Sequence, residues 1–309
     1  MLKNLSQCKI PHKHLPSLMD YSKDDIISIL SAANILKNNP PVSASTTLSG
    51  RTLAMIFSKS STRTRVSFEQ GVKALGGSAI FLSTNDIQLG RGETIHDTAK
   101  TLSRYVHGIM IRTHAQSDVD ELSKHSSVPV INGLTDDYHP CQALADYLTV
   151  YEKFGKFDGI KLAYIGDGNN VAHSLMIAGA KLGVEVVVIC PKGHEPNAAI
   201  TAKTKSMGNV TVTSDIDNAI KGCHVVYTDV MFSMGQTVTD AKKAALMPYQ
   251  VNSALMNKAH KDAIFMHCLP AHRDEEVTGE VIDGPQSVVF DQAENRMWAQ
   301  MGVMWHLMK

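Results

Sequence analysis

No surplus of charge of either sign marks this chain of 309 residues, whose 30 basic and 30 acidic side chains give a formal net charge of zero. That balance excludes the broad basic face needed to hold nucleic acid or an anionic membrane surface. It leaves room for a local basic pocket around a small anion. Long hydrophobic runs are also missing: no stretch approaches the roughly 18 apolar residues of a membrane span. The opening residues, MLKNLSQCKIPHKHL, have no apolar segment behind their lysine, so no signal peptide is expected. Cysteine is scarce and odd in number, at five, with no framework spacing. A reduced, cytoplasmic protein is the simpler expectation. Neither a long repeat nor a low-complexity tract is found.

What is present is apolar content and alternation. Hydrophobic residues make up 43%, enough for sizeable cores, and the length suits two domains of about 150 residues each. A first helix is expected from about Lys23 to Lys37. Ser22 is its N-cap, Asp24 and Asp25 lie in its first turn, and Ile26, Ile29, Leu30 and Ala33 form its apolar stripe, with Pro40 and Pro41 stopping it. Thr52–Phe57 reads as a buried strand. Ser60 and Ser61 then open a helix with Phe68, Val72 and Leu75 on one face, closed by Gly76 and Gly77. Strands follow at Ser78–Leu82, Gly108–Arg112 and Val128–Asn132, and a long helix runs from His139 to about Phe154. A second series begins at Lys161 with the strand LAYIGDG, a helix over Val171–Leu182 and the strand VEVVVIC. The strands HVVYTD and AIFMHCL come later, and an amphipathic helix from about Ala293 to Met308 ends the chain. Strands alternating with helices predict an α/β fold of two doubly wound parallel-sheet lobes. In such sheets ligands bind beyond the carboxyl ends of strands. The polar clusters below fall at such ends, Gln88 excepted.

The run Ser60-Ser61-Thr62-Arg63-Thr64-Arg65 stands where a strand becomes a helix. Free N–H groups and the helix dipole favour an anion there. The hydroxyl and guanidinium side chains add charge-assisted donors matched to phosphate oxygens. The bland alternative, a capped helix with solvated arginines, fits a generic Ser-Thr-Arg better than this full run after an apolar strand.

Ser-Thr-Arg-Thr-Arg resembles the carbamoyl phosphate signature of the aspartate and ornithine carbamoyltransferases. His139-Pro140-Cys141-Gln142 resembles their second carbamoyl phosphate motif. His267-Cys268-Leu269-Pro270, and Asp229 with Ser233-Met234-Gly235, resemble motifs of the ornithine branch, and Asn295-Arg296 at the start of the last helix matches as well. The motifs follow the family's order from Ser61 to Arg296. The resemblance implies a carbamoyl phosphate-binding domain over 1–138 with the helix 293–309 packing back on it, an ornithine-binding domain over 139–292, and an active site in the cleft between the two lobes. Long helices would join them.

By that resemblance Ser61, Thr62, Arg63 and Thr64 hold the phosphate. Arg112, His139 and Arg296 face the carbamoyl oxygen, Gln142 faces the carbamoyl amide, and Cys268 and Leu269 complete the carbamoyl phosphate site. Asn169, Asn170, Asp229, Ser233 and Met234 hold L-ornithine, with Asn170 favoured over Asn169, and Asp229 and Cys268 lie near the reacting amine. Arg112, His139, Asp229, Cys268 and Arg296 form the catalytic set. Gln88, in a glycine-rich loop expected to be mobile, resembles the loop that reaches into a neighbouring subunit, which implies a homotrimer or a multiple of trimers. The reaction implied is direct transfer, with no metal, cofactor or covalent intermediate required. Each residue also has a plainer reading: Arg112 as a surface ion-pair partner, His139 as a helix cap, Cys268 as an inert core thiol. The family pattern is broken at Ser58, where glutamate is common, and at Met231, where an aromatic is common.

Three competing readings are weaker. Gly166-Asp167-Gly168 after a strand suggests a dinucleotide site, yet Val171 stands where the third glycine belongs and no acidic residue ends VEVVVIC. His267 and Cys268 lack a second pair at metal-ligand spacing. A carbamoyltransferase for aspartate, putrescine or a modified ornithine is the nearer rival, and the two ornithine-branch motifs argue against it.

Overall fold

In a computed structural model describing residues 3–4, 7–39, 46–232 and 239–309, the strands sort into two separate, wholly parallel sheets. The chain divides accordingly into one unit of Met1–Leu148 with Glu294–Lys309 and another of Thr149–Ala293.

The first unit holds β1 (Thr52–Phe57), β2 (Ser78–Ser83), β3 (Gly108–Arg112) and β4 (Val130–Leu134), in the order β2-β1-β3-β4. β1 and β3 are the central strands and read as unbroken apolar runs because helices cover both faces. Ala54, Ile56, Ile109, Ile111 and Val130 pack there with Ala99, Val119 and Leu122. The last three lie on or beside helices that follow the strands: α2 (Thr62–Ala74), α3 (Ile95–Leu102) and α4 (Gln116–His125). α1 (Lys23–Asn38) starts at the expected N-cap, Ser22, which forms a capping box with Asp25; Pro40 and Pro41 lie outside the described residues. β4 starts at Val130, two residues later than expected, because Pro129 has no N–H to give the ladder.

The second unit holds β5 (Lys161–Ile165), β6 (Glu185–Ile189), β7 (Val210–Thr213), β8 (Val225–Thr228) and β9 (Ile264–His267), in the order β7-β6-β5-β8-β9. Ala163, Ile165, Val187, Val226 and Phe265 lie at the heart of its core. The sequence reading did not anticipate β7, a four-residue edge strand whose valine–threonine alternation buries only one end fully. The units share two helices, α5 (Pro140–Phe154), inside which the division falls, and the last helix, which begins at Val289 rather than near Ala293. The second unit also has α6 (Asn170–Leu182), α7 (Ala198–Met207) and α8 (Asp240–Leu246), so the last helix, Val289–Met308, is α9. Within the first unit α9 lies against α1 so closely that a Cβ on Gly302 would come 2.7 Å from the Ile29 carbonyl oxygen. No helix among the described residues is long and apolar enough to cross a membrane.

One anchor of the first unit is sensitive to acid. The Nδ1 atom of His14 accepts the Val130 N–H at 3.0 Å, holding the segment before α1 beside β4. Burial, with Lys13 nearby, pushes the imidazole from an ordinary 6.5 down to about 4. Between those values the unfolded chain takes a proton that the folded chain refuses. Stability is therefore complete above pH 6.5 and falls as the pH drops toward 4. For a half-buried group we expect a loss of about 1–2 kcal/mol after discounting for solvent screening. Asparagine can accept the same bond without titrating. Urea unfolding of wild type and His14→Asn should thus give stabilities that converge by that amount on acidification; parallel pH profiles would rule the anchor out.

Candidate active site

Both sheets change winding direction once, and ligand crevices form at such points. In the first unit the switch lies between β1 and β3, whose ends are in register at Phe57 and Arg112. The chain leaving β1 reaches Ser61, the N-cap of α2, whose Oγ accepts the Thr64 N–H at 3.2 Å. Thr62 and Arg63 occupy the first turn, where amides have no partner within the helix. Arg63 is half-buried and makes no hydrogen bond or ion pair among the described residues. Arg65 departs from the sequence reading, which counted it among the anion's donors. Its Nε donates to Glu69 at 3.1 Å and its guanidinium lies 3.8 Å from the centre of the Phe81 ring. It braces α2 instead.

Behind this turn the unit buries an array of polar groups. Thr64 is 1% exposed, Gln142 1%, Arg296 3%, and Arg112 and His139 5% each, so the surface role is excluded for Arg112. Arg296 donates from Nη2 to Thr64 Oγ1 at 3.2 Å and from Nη1 to Gln142 Oε1 at 2.6 Å. Gln142 donates in turn from Nε2 to Asp146 Oδ1 at 2.8 Å. Helix α9 presents Arg296 at this depth because Lys37 of α1 grips the preceding Asn295 Oδ1 at 2.8 Å. His139 stands at the start of α5, where its carbonyl accepts the Gln142 and Ala143 N–H groups. Burial, and then the charges of Arg296 and Arg112, hold its imidazole well below the usual range, so it is neutral at physiological pH. Cys141, in the same motif, is an inert core thiol whose pKa burial raises to about 12.

The second unit's switch lies between β5 and β8. Gly166 has φ +133°, and a Cβ on Gly168 would fall 2.2 Å from the Pro196 nitrogen, so packing of this loop accounts for both glycines. Asn169 caps α6: its Oδ1 accepts the Val171 and Ala172 N–H groups. Its Nδ2 donates to Asp229 Oδ2 at 2.7 Å, and Cys268 donates through Sγ to Asp229 Oδ1 at 3.0 Å. The ends of β5, β8 and β9 thus converge on one carboxylate. Cys268 is only partly buried, unlike the other four cysteines, and none of the five is in a disulfide. Beside it, His267 is fully buried with both ring nitrogens engaged. Nε2 lies 3.1 Å from Glu276 Oε1, and Nδ1 accepts the Leu269 N–H at 2.9 Å. Those bonds hold Leu269 at φ +58° and leave His267 no lone pair for a metal.

Sequence reasoning missed Asp146 and Glu276, which never leave the interior. It also missed Asp167, which ties the loop after β5 to His194 Nδ1 at 3.0 Å and to Lys242 Nζ of α8 at 2.7 Å. The only available signals were an acidic residue in an apolar helix and an i, i+4 spacing. Ser233 and Met234 lie outside the described residues. Gln88 is exposed on a 3-10 turn, Gln88–Arg91, and no hydrogen bond joins it to the buried array among the described residues.

Fixed donors over a helix start in one unit, and a carboxylate–thiol pair in the other, are the equipment of a transferase acting on an anionic donor and an amine. The chain belongs to the aspartate/ornithine carbamoyltransferase family. Residues 13–152 match its carbamoyl-P binding domain and 158–307 its Asp/Orn binding domain. It is 54% identical to the ornithine carbamoyltransferase of Oceanobacillus iheyensis, over 99% of this chain and 97% of the relative. To that of Bacillus subtilis it is again 54% identical, over 98% and 96%. Among solved structures it is similar to ornithine carbamoyltransferase from Pyrococcus furiosus, with a TM-score of 0.92 at 51% identity, covering 96% of this chain and 97% of the other.

Proposed function

We infer that the protein transfers the carbamoyl group of carbamoyl phosphate to the side-chain amine of L-ornithine, giving L-citrulline and phosphate. The observation that supports this best is the buried Thr64–Arg296–Gln142 array with Arg112 and His139, a set of donors for a small carbonyl compound beside the helix start that suits its phosphate. The choice of ornithine rests on the relatives' names and on the Asp229–Cys268 pair.

In this reading Ser61, Thr62, Arg63 and Thr64 hold the phosphate. Arg112, His139 and Arg296 face the carbonyl oxygen, where negative charge gathers as the amine attacks. A neutral His139 adds one N–H donor without a third competing cation. Leu269 and Cys268 close the carbamoyl side. Asp229 and Cys268, with Asn170, Ser233 and Met234, receive ornithine, while Asn169 is committed to capping α6 and steadying Asp229. The amine must be neutral to attack, against a solution pKa of about 10.4 by analogy with lysine. A nitrogen–carbon bond forms, the carbon–oxygen bond to phosphate breaks, and the amine's proton leaves on the phosphate. Positioning and fixed charge supply most of the rate.

The reading extends to a homotrimer or a multiple of trimers, with Gln88 completing a neighbour's site, and to the cytoplasm, where five thiols outside any disulfide are stable. Incubating the protein with carbamoyl phosphate and, in turn, ornithine, putrescine and aspartate, with phosphate release followed, tests the function. Ornithine should be preferred by orders of magnitude, and a preference for another amine would reassign the substrate.

Cys268 bears on the chemistry. As a donor to Asp229 it orients the amine site and does not attack. Cys268→Ser keeps a donor of shorter reach, so we expect measurable turnover with ornithine KM raised about tenfold, the cost of one weakened hydrogen bond. A carbamoyl group trapped on Cys268 during turnover would refute direct transfer.

A further inference from the structure

We propose that Asp146, acting through Gln142, makes this site select a carbamoyl group over an acyl group of the same shape. The proposal rests on the reading of Gln142 as the partner of the carbamoyl amide.

A glutamine side chain carries one acceptor and one donor end, and nothing in its shape says which end faces which neighbour. Here the neighbours decide. Asp146 presents a carboxyl oxygen as acceptor, 2.8 Å from one end of Gln142. The Arg296 guanidinium can only donate; it lies 2.6 Å from the other. One orientation satisfies both. The flipped one sets NH2 against guanidinium and carbonyl oxygen against carboxylate, two repulsive contacts at hydrogen-bond distance. Asp146 and Gln142 are 0% and 1% exposed, so water does not soften that penalty. Their spacing of one helical turn on α5 places both on the same face.

The pinned Oε1 has a second lone pair besides the one given to Arg296. A carbamoyl NH2 can donate to it, whereas the methyl of an acetyl group cannot. Asp146 is thus a positioning residue for specificity.

Acetyl phosphate, identical to carbamoyl phosphate except for methyl in place of NH2, is the probe. Titration calorimetry on the full chain should find carbamoyl phosphate about tenfold tighter, the value of one hydrogen bond. In Asp146→Asn the amide at 146 can meet either end of Gln142, which then has only Arg296 to orient it, so the preference should fall to about threefold while acetyl phosphate affinity holds within about twofold. Pairing Asp146→Asn with Gln142→Glu keeps the total charge: the glutamate accepts from both Arg296 and the new amide and again turns an acceptor to the ligand. That pair should regain the tenfold preference, and it decides the matter if the single variant does not fold. An unchanged preference in Asp146→Asn, equal loss of both ligands, no recovery in the pair, or a wild type that binds both phosphates alike would each overturn the proposal. A wild type that binds no carbamoyl phosphate and releases none of its phosphate with ornithine overturns the function itself, and the proposal with it.

Discussion

Arg63→Leu is expected to lower carbamoyl phosphate affinity by at least about 100-fold and turnover with it, while leaving the fold intact. Two charge-assisted hydrogen bonds from one guanidinium are worth roughly 1.5–3 kcal/mol each, so the lower bound is about 3 kcal/mol, a little over two decades. Stability should change by only about 0.5 kcal/mol, because Arg63 is half-buried and has no partner among the described residues to lose. Arg65 is the internal control. It is two residues away and equally charged, but it is engaged with Glu69 and the Phe81 ring. Arg65→Leu should therefore cost some stability and little affinity. Calorimetric titration of both variants with carbamoyl phosphate checks the contrast. Equal affinity losses would mean that a diffuse basic patch, and not the geometry of the first helical turn, holds the anion.

The Arg63–Arg65 contrast marks where the sequence was legible. The anion cradle was readable because its parts are local: a strand, a cap and a helix start within a dozen residues, each with its own signature. The parallel sheets were readable for the same reason, since buried central strands such as β1 and β3 are continuous apolar runs. What Arg65 does was not readable, because Phe81 is brought beside it by strand pairing between β1 and β2. Asp146 was equally hidden. On paper it is an acidic residue inside an apolar helix, and only the arrival of Arg296 from the far end of the chain turns Gln142 into a bridge between an acceptor and a guanidinium. Glu276 matters because His267 lies buried against it, a contact with no sequence period. The choice between the two asparagines was half visible: a cap position was evident, but the second bond of Asn169, to Asp229, depends on β5 and β8 being neighbours. Residues whose role is set by a crossover connection are the ones that local pattern cannot reach.

Gln88→Ala and an Arg112→Gln variant are each expected to be nearly inactive alone, yet to regain activity when mixed. Each loses a donor expected to be worth about 3 kcal/mol of barrier, more than 100-fold in rate. Arg112 is buried at the end of β3, where it would serve the site of its own chain. Gln88 is exposed on a turn after β2 whose fold is tight; a Cβ on Gly90 would fall 1.9 Å from the Thr84 carbonyl oxygen. A side chain displayed on an exposed turn is suited to reaching outward, into an adjacent copy. If it does so in a cyclic trimer, a sound site needs only an intact Arg112 in one chain and an intact Gln88 in the next. In an equal mixture unfolded and reassembled at random each condition holds half the time, so about a quarter of sites should be sound. Activity should rise from below about one percent in either parent to about 25 percent of wild type in the mixture. If Gln88 serves its own chain, every site in every mixed oligomer carries one defect, and the mixture stays as inactive as its parents. Mass spectrometry of the reassembled oligomers, with one parent isotope-labelled, establishes that mixing took place before the rates are compared. Mixed oligomers that remain inactive would return Gln88 to its own chain's surface and remove the argument for a shared site.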